Sequence, residues 1–334
     1  MVLAAGLGTR MRPLTLLLAK PALPVMNRPL LRWTLELLAR NGVTDVMINT
    51  HHLPATVRAA GGDGRAFGLR ASYSHEPKIL GTGGGPRKVR AFFGDEPFIL
   101  VNGDMVFDFD LRGLVRRHEK AGARATLALR PNPDPRRYSA IRTAKDGRVT
   151  SLAGLPRPTR GTASLFTGIH VLDPALLDRL PRGVSDTVRD LYVRLVEEGQ
   201  PVLGVRVRGK WFDIGSPSLY LDSHRALLAA GFGGAKGGVL VHPAADVHPT
   251  ARVVRSAIGA GCVIGAFARV TGSVLWDGVT MGAGSRVRDS ILATGTRVAA
   301  GERMAGMVVM PGRRGRPARG RAPRSSRSRR CSAA

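Results

Sequence analysis

A glycine loop followed by cations stands directly after the first predicted strand. Residues 1–5 form a short apolar run, which predicts a buried strand. Gly6 and Gly8 then break this run, and Arg10 and Lys20 follow. Glycine tolerates positive φ and lets a ligand approach backbone N–H groups, and such groups together with cationic side chains stabilise phosphate. The stretch therefore predicts a phosphate-binding loop rather than an ordinary strand–helix turn.

The loop differs from two common phosphate-binding motifs. The Walker motif ends in Gly-Lys-Ser/Thr, whereas this loop reads Gly8-Thr9-Arg10. The dinucleotide motif needs a third glycine where Met11 stands. A third class of phosphate loop is therefore expected.

Two aspartates are each predicted to lie just past a strand. Asp104 follows the apolar run FILV, and Asp213 stands in GKWFDIGSP. Ligands of α/β sheets collect at the carboxyl ends of strands, and Mg²⁺ prefers few carboxylates together with phosphates and waters. Asp104 and Asp213 are therefore the candidate metal ligands, with Asp108 and Asp110 as alternatives for the second position.

The elements that must position these residues alternate between strand and helix. Helical periodicity covers 29–41 and 111–122, apolar strand patterns cover 44–52 and 98–104, and a hairpin is predicted with its turn at Asp146-Gly147. The glycines at 81–85 are expected to introduce a further helix. This alternation predicts an α/β fold with a Rossmann-like mixed, mostly parallel sheet.

The pattern changes to a short repeat after residue 238. Apolar residues recur in steps of six, with a stride of five after every third, at Val241, Val247, Val253, Ile258, Ile264, Val270, Leu275, Met281, Val287, Leu292 and Val298. Such hexapeptide repeats stack into a parallel β-helix, here of about three coils. We expect a catalytic domain at 1–230, a linker at 231–238, the β-helix at 239–310 and a disordered Arg-rich tail at 311–334.

Composition narrows the class of protein. The 334 residues carry a net charge of +27, but nine arginines lie between 313 and 330 and the others are scattered, while aromatic residues make up only 5%. Because no aromatic residues are interleaved with the basic ones for base stacking, and no nucleic-acid-binding module is recognisable, no specific nucleic-acid partner is expected. The tail either binds polyanions or is translated sequence beyond the natural end. Two distant cysteines and the lack of a long apolar stretch predict a cytoplasmic protein without membrane contact.

The stretch AAGLGTRMRPLT followed by LAKPALPV resembles the signature of the sugar-1-phosphate nucleotidylyltransferases, or NDP-sugar pyrophosphorylases. The resemblance implies transfer of a nucleotidyl group from an NTP to a sugar 1-phosphate, with Mg²⁺ as cofactor. It assigns Arg10 to the β- and γ-phosphates, Lys20 to the reacting phosphates, and Asp104 and Asp213 to the metal. The residues that it places around the nucleotide are Ala4, Ala5, Gly6, Gly8, Thr9, Glu76, Gly81 and Thr82, and those around the sugar are Ser139 and Gly168.

The sequence leaves open which base the NTP carries and which sugar 1-phosphate accepts the nucleotide. Glu76 could accept hydrogen bonds from guanine or from uracil, so both GTP and UTP are candidates. HEPKILGTGGG resembles N-acetylmuramate-1-phosphate uridylyltransferases, whereas the β-helix resembles that of mannose-1-phosphate guanylyltransferases. The chain reads AGLPRP and Phe166-Thr167-Gly168 where many relatives carry Glu-Lys-Pro and Asn-x-Gly. Mannose, N-acetylmuramate and related hexoses therefore remain candidates.

Two rival functions belong to other classes. The first is a non-catalytic regulatory subunit of the same fold, although such relatives tend to lose a signature cation or metal carboxylate. The second is a bifunctional enzyme with an acyltransferase β-helix, which needs a catalytic histidine in its coils, and His242 and His248 lie only in the first turns. We expect instead that the β-helix serves assembly into a homo-oligomer.

Overall fold

The computed structural model describes residues 1–312 and the backbone of 316–317. It divides into two compact units, Met1–Gly215 and Ser216–Ala334. The predicted disordered tail lies outside the described residues, apart from these few positions. Over the part of the chain that is described, no helix is both long and apolar enough to cross a membrane.

The first unit is built from short strands and helices in alternation. Its strands are β1 (Val2–Leu3), β2 (Pro24–Val25), β3 (Arg28–Pro29), β4 (Asp45–Thr50), β5 (Arg70–His75), β6 (Phe98–Asn102), β7 (Met105–Phe107), β8 (Ala125–Pro131), β9 (Ala140–Thr143), β10 (Val149–Leu152), β11 (Thr162–Leu172), β12 (Val202–Arg206) and β13 (Trp211–Asp213). Its helices are α1 (Leu30–Arg40), α2 (Pro54–Gly61), α3 (Gly81–Lys88), α4 (Leu111–Lys120) and α5 (Val193–Glu197).

The central sheet is mixed, as the sequence predicts. Its order is β10-β9-β11-β6-β1-β4-β5, and β8 pairs with both β11 and β12. Strands β6, β1, β4 and β5 are parallel, whereas β11 runs antiparallel to β6, β8 and β9. The antiparallel β9 and β10 form the predicted hairpin. Strands β7 and β13 pair separately from this sheet.

Apolar side chains cover both faces of the sheet. Alternate residues of a strand point to opposite faces, and accordingly Val2 belongs to one apolar cluster while Met1 belongs to another. Helix α1 buries Leu31, Leu35 and Leu38 in the first cluster. The second cluster includes residues of the segment that leads into α5, such as Leu191. The sheet is therefore held between two layers, and the polar residues that follow its strands meet at one edge.

The glycines at 81–85 form the first turns of α3, although the sequence analysis expected them to precede it. A Cβ on Gly81 would lie 2.4 Å from the carbonyl oxygen of Ser185, and one on Gly84 would lie 2.1 Å from that of Gly183. Close backbone packing against this neighbouring loop therefore requires glycine at both positions.

The second unit begins with helix α6 (Pro217–Ala229) and continues as a parallel β-helix. Its strands are β14 (Leu240–Val241), β15 (Asp246–Val247), β16 (Arg252–Val254), β17 (Ala257–Ile258), β18 (Val263–Ile264), β19 (Arg269–Thr271), β20 (Val274–Leu275), β21 (Thr280–Met281), β22 (Arg286–Arg288), β23 (Ile291–Leu292), β24 (Arg297–Val298), β25 (Arg303–Ala305), β26 (Met307–Val309) and β27 (Arg316–Pro317).

Three parallel sheets form the faces of the β-helix. The first face consists of β14, β17, β20, β23 and β26, with β27 antiparallel at its edge; the second of β15, β18, β21 and β24; the third of β16, β19, β22 and β25. Val241, Ile258, Leu275 and Leu292 are aligned in successive strands, so each coil takes 17 residues. The six-six-five spacing of the sequence is confirmed, and the sheets fit the expected left-handed β-helix. The described strands make four coils rather than about three.

Helix α6 packs on the β-helix. The indole nitrogen of the buried Trp276 donates to the hydroxyl of Tyr220 at 2.9 Å, and Arg225 pairs with Asp289 at 2.7 Å. The sequence analysis assigns α6 to the catalytic domain, whereas the compact units divide at Gly215. The boundary at residue 230 stays a prediction.

Candidate active site

One cavity of the first unit gathers most of the residues that the sequence analysis singles out. It has a volume of about 320 Å³ and lies past the ends of β1, β4 and β6. The predicted residues that line it are Ala4, Ala5, Gly6, Gly8, Thr9, Arg10, Lys20, Glu76, Gly81, Thr82 and Asp104. The structure thus brings the glycine loop, both cations and one candidate metal ligand to one place.

The two glycines of the loop have different physical roles. Gly8 has φ +59°, and a Cβ there would lie 2.9 Å from Thr15 Cγ2 and 3.2 Å from Lys20 Cβ. The hydroxyl of Thr15 also donates to the carbonyl oxygen of Gly8 at 3.0 Å. In contrast, a Cβ on Gly6 would meet nothing within 4 Å. Gly8 is therefore required by the fold of the loop, whereas the missing side chain of Gly6 leaves open space beside the backbone.

A buried chain of hydrogen bonds joins the two glycine loops. Asn49 accepts from the N–H of Ala4 at 2.7 Å and donates to Glu76 at 2.8 Å. The other carboxylate oxygen of Glu76 accepts from the N–H of Leu80 at 2.9 Å, and Glu76 is fully buried. Both of its oxygens thus accept hydrogen bonds from protein groups, and through these bonds Glu76 connects the two glycine loops in this structure. Its predicted role at the base stays untested.

Thr82 is held by the neighbouring loop. Its hydroxyl donates to Asp186 at 3.0 Å and accepts from the N–H of Thr187 at 2.9 Å. The N–H of Gly83 donates to the carbonyl oxygen of Ser185 at 2.9 Å. These bonds fix the beginning of α3 at the cavity wall.

The pairing of β13 with β7 brings the two aspartates together. Asp213 is aligned with Met105, and the N–H of Ile214 donates to the carbonyl oxygen of Asp104 at 3.2 Å. Burial, and then the negative charge of Asp104, raises the pKa of Asp213 above its usual range. The carboxylates are therefore close enough to repel each other, an arrangement that a cation stabilises.

Each aspartate also has a protein partner. Lys20 Nζ lies 2.7 Å from Asp104 Oδ2, and the lysine is 8% exposed. The hydroxyl of Tyr138 donates to Asp213 Oδ2 at 3.0 Å. Burial, and then Asp213, raises the pKa of Tyr138 to about 12, so the phenol stays a donor at neutral pH. A binding cation would compete with Lys20 for Asp104.

The donor set fits Mg²⁺. Two carboxylates, one of them with a raised pKa caused partly by the other, supply the oxygen ligands that this ion prefers. Among the described residues there is no cluster of three or more His, Cys, Asp and Glu side chains suited to a metal. The site therefore suits an ion whose remaining ligands are phosphate oxygens and waters.

The candidate sugar residues lie outside the residues that line the cavity. Ser139 is exposed and follows Tyr138. Gly168 is buried in β11 at φ +80°, where a Cβ would lie 2.6 Å from Met105 Cε and 2.7 Å from Asn102 Nδ2. Close packing thus accounts for this glycine, and the sugar assignments stay predictions.

Several alternatives have structural roles. Asp110 caps α4 by accepting from Gly113 at 2.8 Å, and Asp108 accepts from the backbone N–H of Lys210. His242 and His248 accept from backbone N–H groups two residues on. These bonds explain Asp110 as a helix cap, Asp108 as a link to the distant Lys210, and the two histidines as parts of turns.

Three residues of the site escaped the sequence analysis. Asn49 and Tyr138 bond directly to predicted site residues, and Asp186 holds Thr82. Asn49 lies near the end of a parallel strand, and that position was a usable signal. Tyr138 and Asp186 lie in loops whose neighbours are set by tertiary packing.

Comparison with known proteins agrees with this geometry. A family model described as nucleotidyl transferase matches residues 1–230, and one described as the GMPPB C-terminal domain matches 235–313. The mannose-1-phosphate guanylyltransferase of Mycobacterium tuberculosis is 32% identical over 272 residues, 79% of this chain and 76% of that protein. The UTP–glucose-1-phosphate uridylyltransferase of Synechocystis is 32% identical over 244 residues, which cover 69% of this chain and 63% of that protein.

Solved structures show the same fold. HddC from Yersinia pseudotuberculosis has a TM-score of 0.57 at 20% identity, over 66% of this chain and 95% of that one. A putative glucose-1-phosphate thymidylyltransferase from Bacillus anthracis has a TM-score of 0.55 at 22% identity, over 64% of this chain and 89% of that one.

Proposed function

The chain belongs to the nucleotidyl transferase family, and we propose that it transfers a nucleotidyl group from an NTP to a sugar 1-phosphate, releasing pyrophosphate. The observation that carries the proposal is one cavity lined by Gly6, Arg10, Lys20 and Asp104, with Asp213 next to it through the pairing of β13 with β7. Such a set of backbone donors, cations and carboxylates suits phosphoryl chemistry and little else.

The proposed reaction is an in-line displacement. An oxygen of the sugar phosphate forms a bond to the α-phosphorus while the bond from that phosphorus to the bridging oxygen breaks, and its electron pair leaves with pyrophosphate. Positioning and neutralisation of charge supply most of the catalysis in such transfers. No general base is needed, because the attacking phosphate is already an anion.

The cavity offers a residue for each part of this task. The open backbone at Gly6 admits the nucleotide phosphates, and the exposed Arg10 would bind the β- and γ-phosphates. Lys20 would stabilise the charge that grows on the reacting phosphates. Lys20 is paired with Asp104 at 2.7 Å, and the remaining N–H groups of its ammonium would serve the phosphate.

Asp104 and Asp213 would hold Mg²⁺, which when bound neutralises negative charge on the phosphate oxygens. Tyr138 contributes by orienting the carboxylate of Asp213, to which it donates at 3.0 Å. The metal thus explains why two acidic side chains stand next to each other in a site for anions.

We propose GTP and mannose 1-phosphate as the first substrate pair. The support comes from the relatives: several are named as mannose-1-phosphate guanylyltransferases, in Mycobacterium tuberculosis and Xenopus laevis among others, and the second unit matches the GMPPB C-terminal domain. The Synechocystis relative favours UTP and glucose 1-phosphate as the second candidate. Glu76 is buried and both of its carboxylate oxygens accept hydrogen bonds from the protein, so it supports neither base.

The test incubates the full chain and Mg²⁺ with each NTP and with mannose, glucose and N-acetylmuramate 1-phosphates, and measures pyrophosphate. We expect release only when both substrates are present. An Asp104→Asn variant should lose this activity, whereas Asp95→Asn, a change at a fully exposed carboxylate, should keep it. Nucleotide binding without turnover for any pair would instead support the non-catalytic regulatory subunit.

The proposal extends to the setting of the enzyme. We propose a cytoplasmic protein, because the one cysteine of the described residues, Cys262, is buried and unpaired, as is usual in reducing compartments. We also propose that the protein is a homo-oligomer. The expected contribution of the β-helix to assembly is part of this proposal.

A further inference from the structure

Four arginines form a ladder on the third face of the β-helix. Arg252, Arg269, Arg286 and Arg303 are aligned with one another in β16, β19, β22 and β25. All four are exposed. Neighbouring strands lie about 4.7–4.9 Å apart, so four positive charges follow one line at close spacing.

No acidic side chain of the described residues lies within ion-pairing distance of this arginine ladder. Like charges opposite each other on neighbouring strands destabilise a sheet, so an anion would stabilise this arrangement. Two residues further along the same strands, the outward positions include the small Thr271 and Ala305. A groove of about 390 Å³ is lined by these residues and by Arg269, Arg286 and Arg303. Arg288, whose guanidinium lies 3.9 Å from the carboxylate of Asp289, also lines the groove.

An exposed aromatic ring stands at the corner that leads into this face. Phe267 is 69% exposed and has φ +58°, a conformation that residues other than glycine rarely adopt. The corresponding corners of the next two coils are Gly284 and Gly301, both at positive φ. Burial does not explain this phenylalanine, and strained, exposed positions of this kind often have a function.

We propose that the third face binds a nucleoside di- or triphosphate. The arginine ladder holds the phosphates, because guanidinium groups bind phosphate through paired hydrogen bonds, and Phe267 stacks on the base. The binding residues all belong to the second unit, so the proposal does not depend on the function proposed for the cavity. The possible sources are an NTP or an NDP-sugar, and both share this chemistry.

The test is calorimetric titration of the full chain with GTP, UTP, GDP-mannose and tripolyphosphate, in the presence of EDTA. We expect a class of sites beyond the cavity. The variant Arg269→Gln/Arg286→Gln/Arg303→Gln should weaken this class at least tenfold for every ligand. Phe267→Ala should weaken the nucleotides about fivefold and leave tripolyphosphate within twofold. The matched controls are Arg297→Gln and Val263→Ala, exposed positions on the second face.

Different outcomes overturn different parts of the proposal. Wild-type binding by the triple variant would eliminate the site, and an equal loss in Arg297→Gln would reduce it to diffuse attraction by net charge. If Phe267→Ala weakens the binding of GTP and of tripolyphosphate equally, Phe267 does not stack on the base. Should the triple variant fail to fold by circular dichroism, Arg286→Glu alone decides: a loss of fivefold or more supports the ladder, and unchanged affinity refutes it.

Discussion

The two glycines of the phosphate loop allow stability and ligand binding to be separated by a single methyl group at each position. Gly8→Ala places a Cβ 2.9 Å from Thr15 Cγ2 at φ +59°. The left-handed conformation alone costs about 1–2 kcal/mol for an L-residue, and the overlap adds to it. We therefore expect Gly8→Ala to lower the free energy of unfolding by about 2 kcal/mol, which corresponds to a shift of roughly 4–8 °C in melting temperature for a unit of this size.

Gly6→Ala should behave in the opposite way. Its Cβ would meet nothing within 4 Å, so the free energy of unfolding should change by no more than about 0.5 kcal/mol. The methyl group would, however, occupy the space into which we place the nucleotide. Overpacking of this kind costs about 1–3 kcal/mol, which predicts a loss of roughly five- to 160-fold in kcat/KM.

The assays are thermal unfolding by circular dichroism and pyrophosphate release with both substrates varied. Gly68→Ala is the matched control. Gly68 has φ +76°, and a Cβ there would meet nothing within 4 Å, so this variant measures the free-energy cost of the left-handed conformation alone. The excess loss in Gly8→Ala over this control measures the overlap with Thr15. If Gly6→Ala keeps wild-type kcat/KM, the nucleotide does not approach that backbone, and the proposed binding mode is wrong.

Four further predictions test other parts of the molecule. Asp104→Asn and Asp213→Asn should each lower turnover by about a hundredfold or more; near-wild-type pyrophosphate release in both would rule out the metal assignment. Burial lowers the pKa of His170 to about 3, so between about pH 6.5 and pH 3 the unfolded chain binds a proton that the native state rejects. Stability should therefore fall as pH falls through this window, by about 2 kcal/mol at pH 5, and less in His170→Gln; equal losses by urea denaturation would contradict this. A chain that ends at Gly231 should form a smaller oligomer in light scattering, and unchanged size would remove assembly from the β-helix. A chain that ends at Met310 should keep its catalytic rate and lose salt-sensitive DNA retention, and a large drop in rate without unfolding would give the tail a function.

The sequence predicts local features of this fold well. The six-six-five spacing of apolar residues gives the strands of the β-helix because each coil repeats the same local geometry. The loop glycines and the strand-end position of Asp104 are likewise local signals. The contacts of Glu76 are not, because Asn49 lies 27 residues away and the bond between them depends on the parallel pairing of β4 with β5. From the sequence, Glu76 could equally face a ligand or the core.

The same limit applies to partners in the site that lie far apart in the sequence. Tyr138 and Asp213 are 75 residues apart, and Thr82 and Asp186 are 104 apart. Neither pair follows a spacing rule, since each joins a loop residue to a residue of a separate strand or helix, and only the fold brings the two together. Recognising the family signature supplies the carboxylates and cations, but the groups that orient them emerge only from the folded structure.

The three faces of the β-helix restrict how copies of the chain could assemble. The outward residues of the first face are apolar and buried, including Ala257, Val274 and Ile291, and the link from Tyr220 to Trp276 shows that α6 packs on the β-helix. The third face carries the arginine ladder, so two copies that met there about a twofold axis would set like charges against each other. An oligomer formed through the β-helix would therefore avoid this third face. The third face is then left for an anion, and the proposed assembly and the proposed nucleotide site do not compete for the same surface.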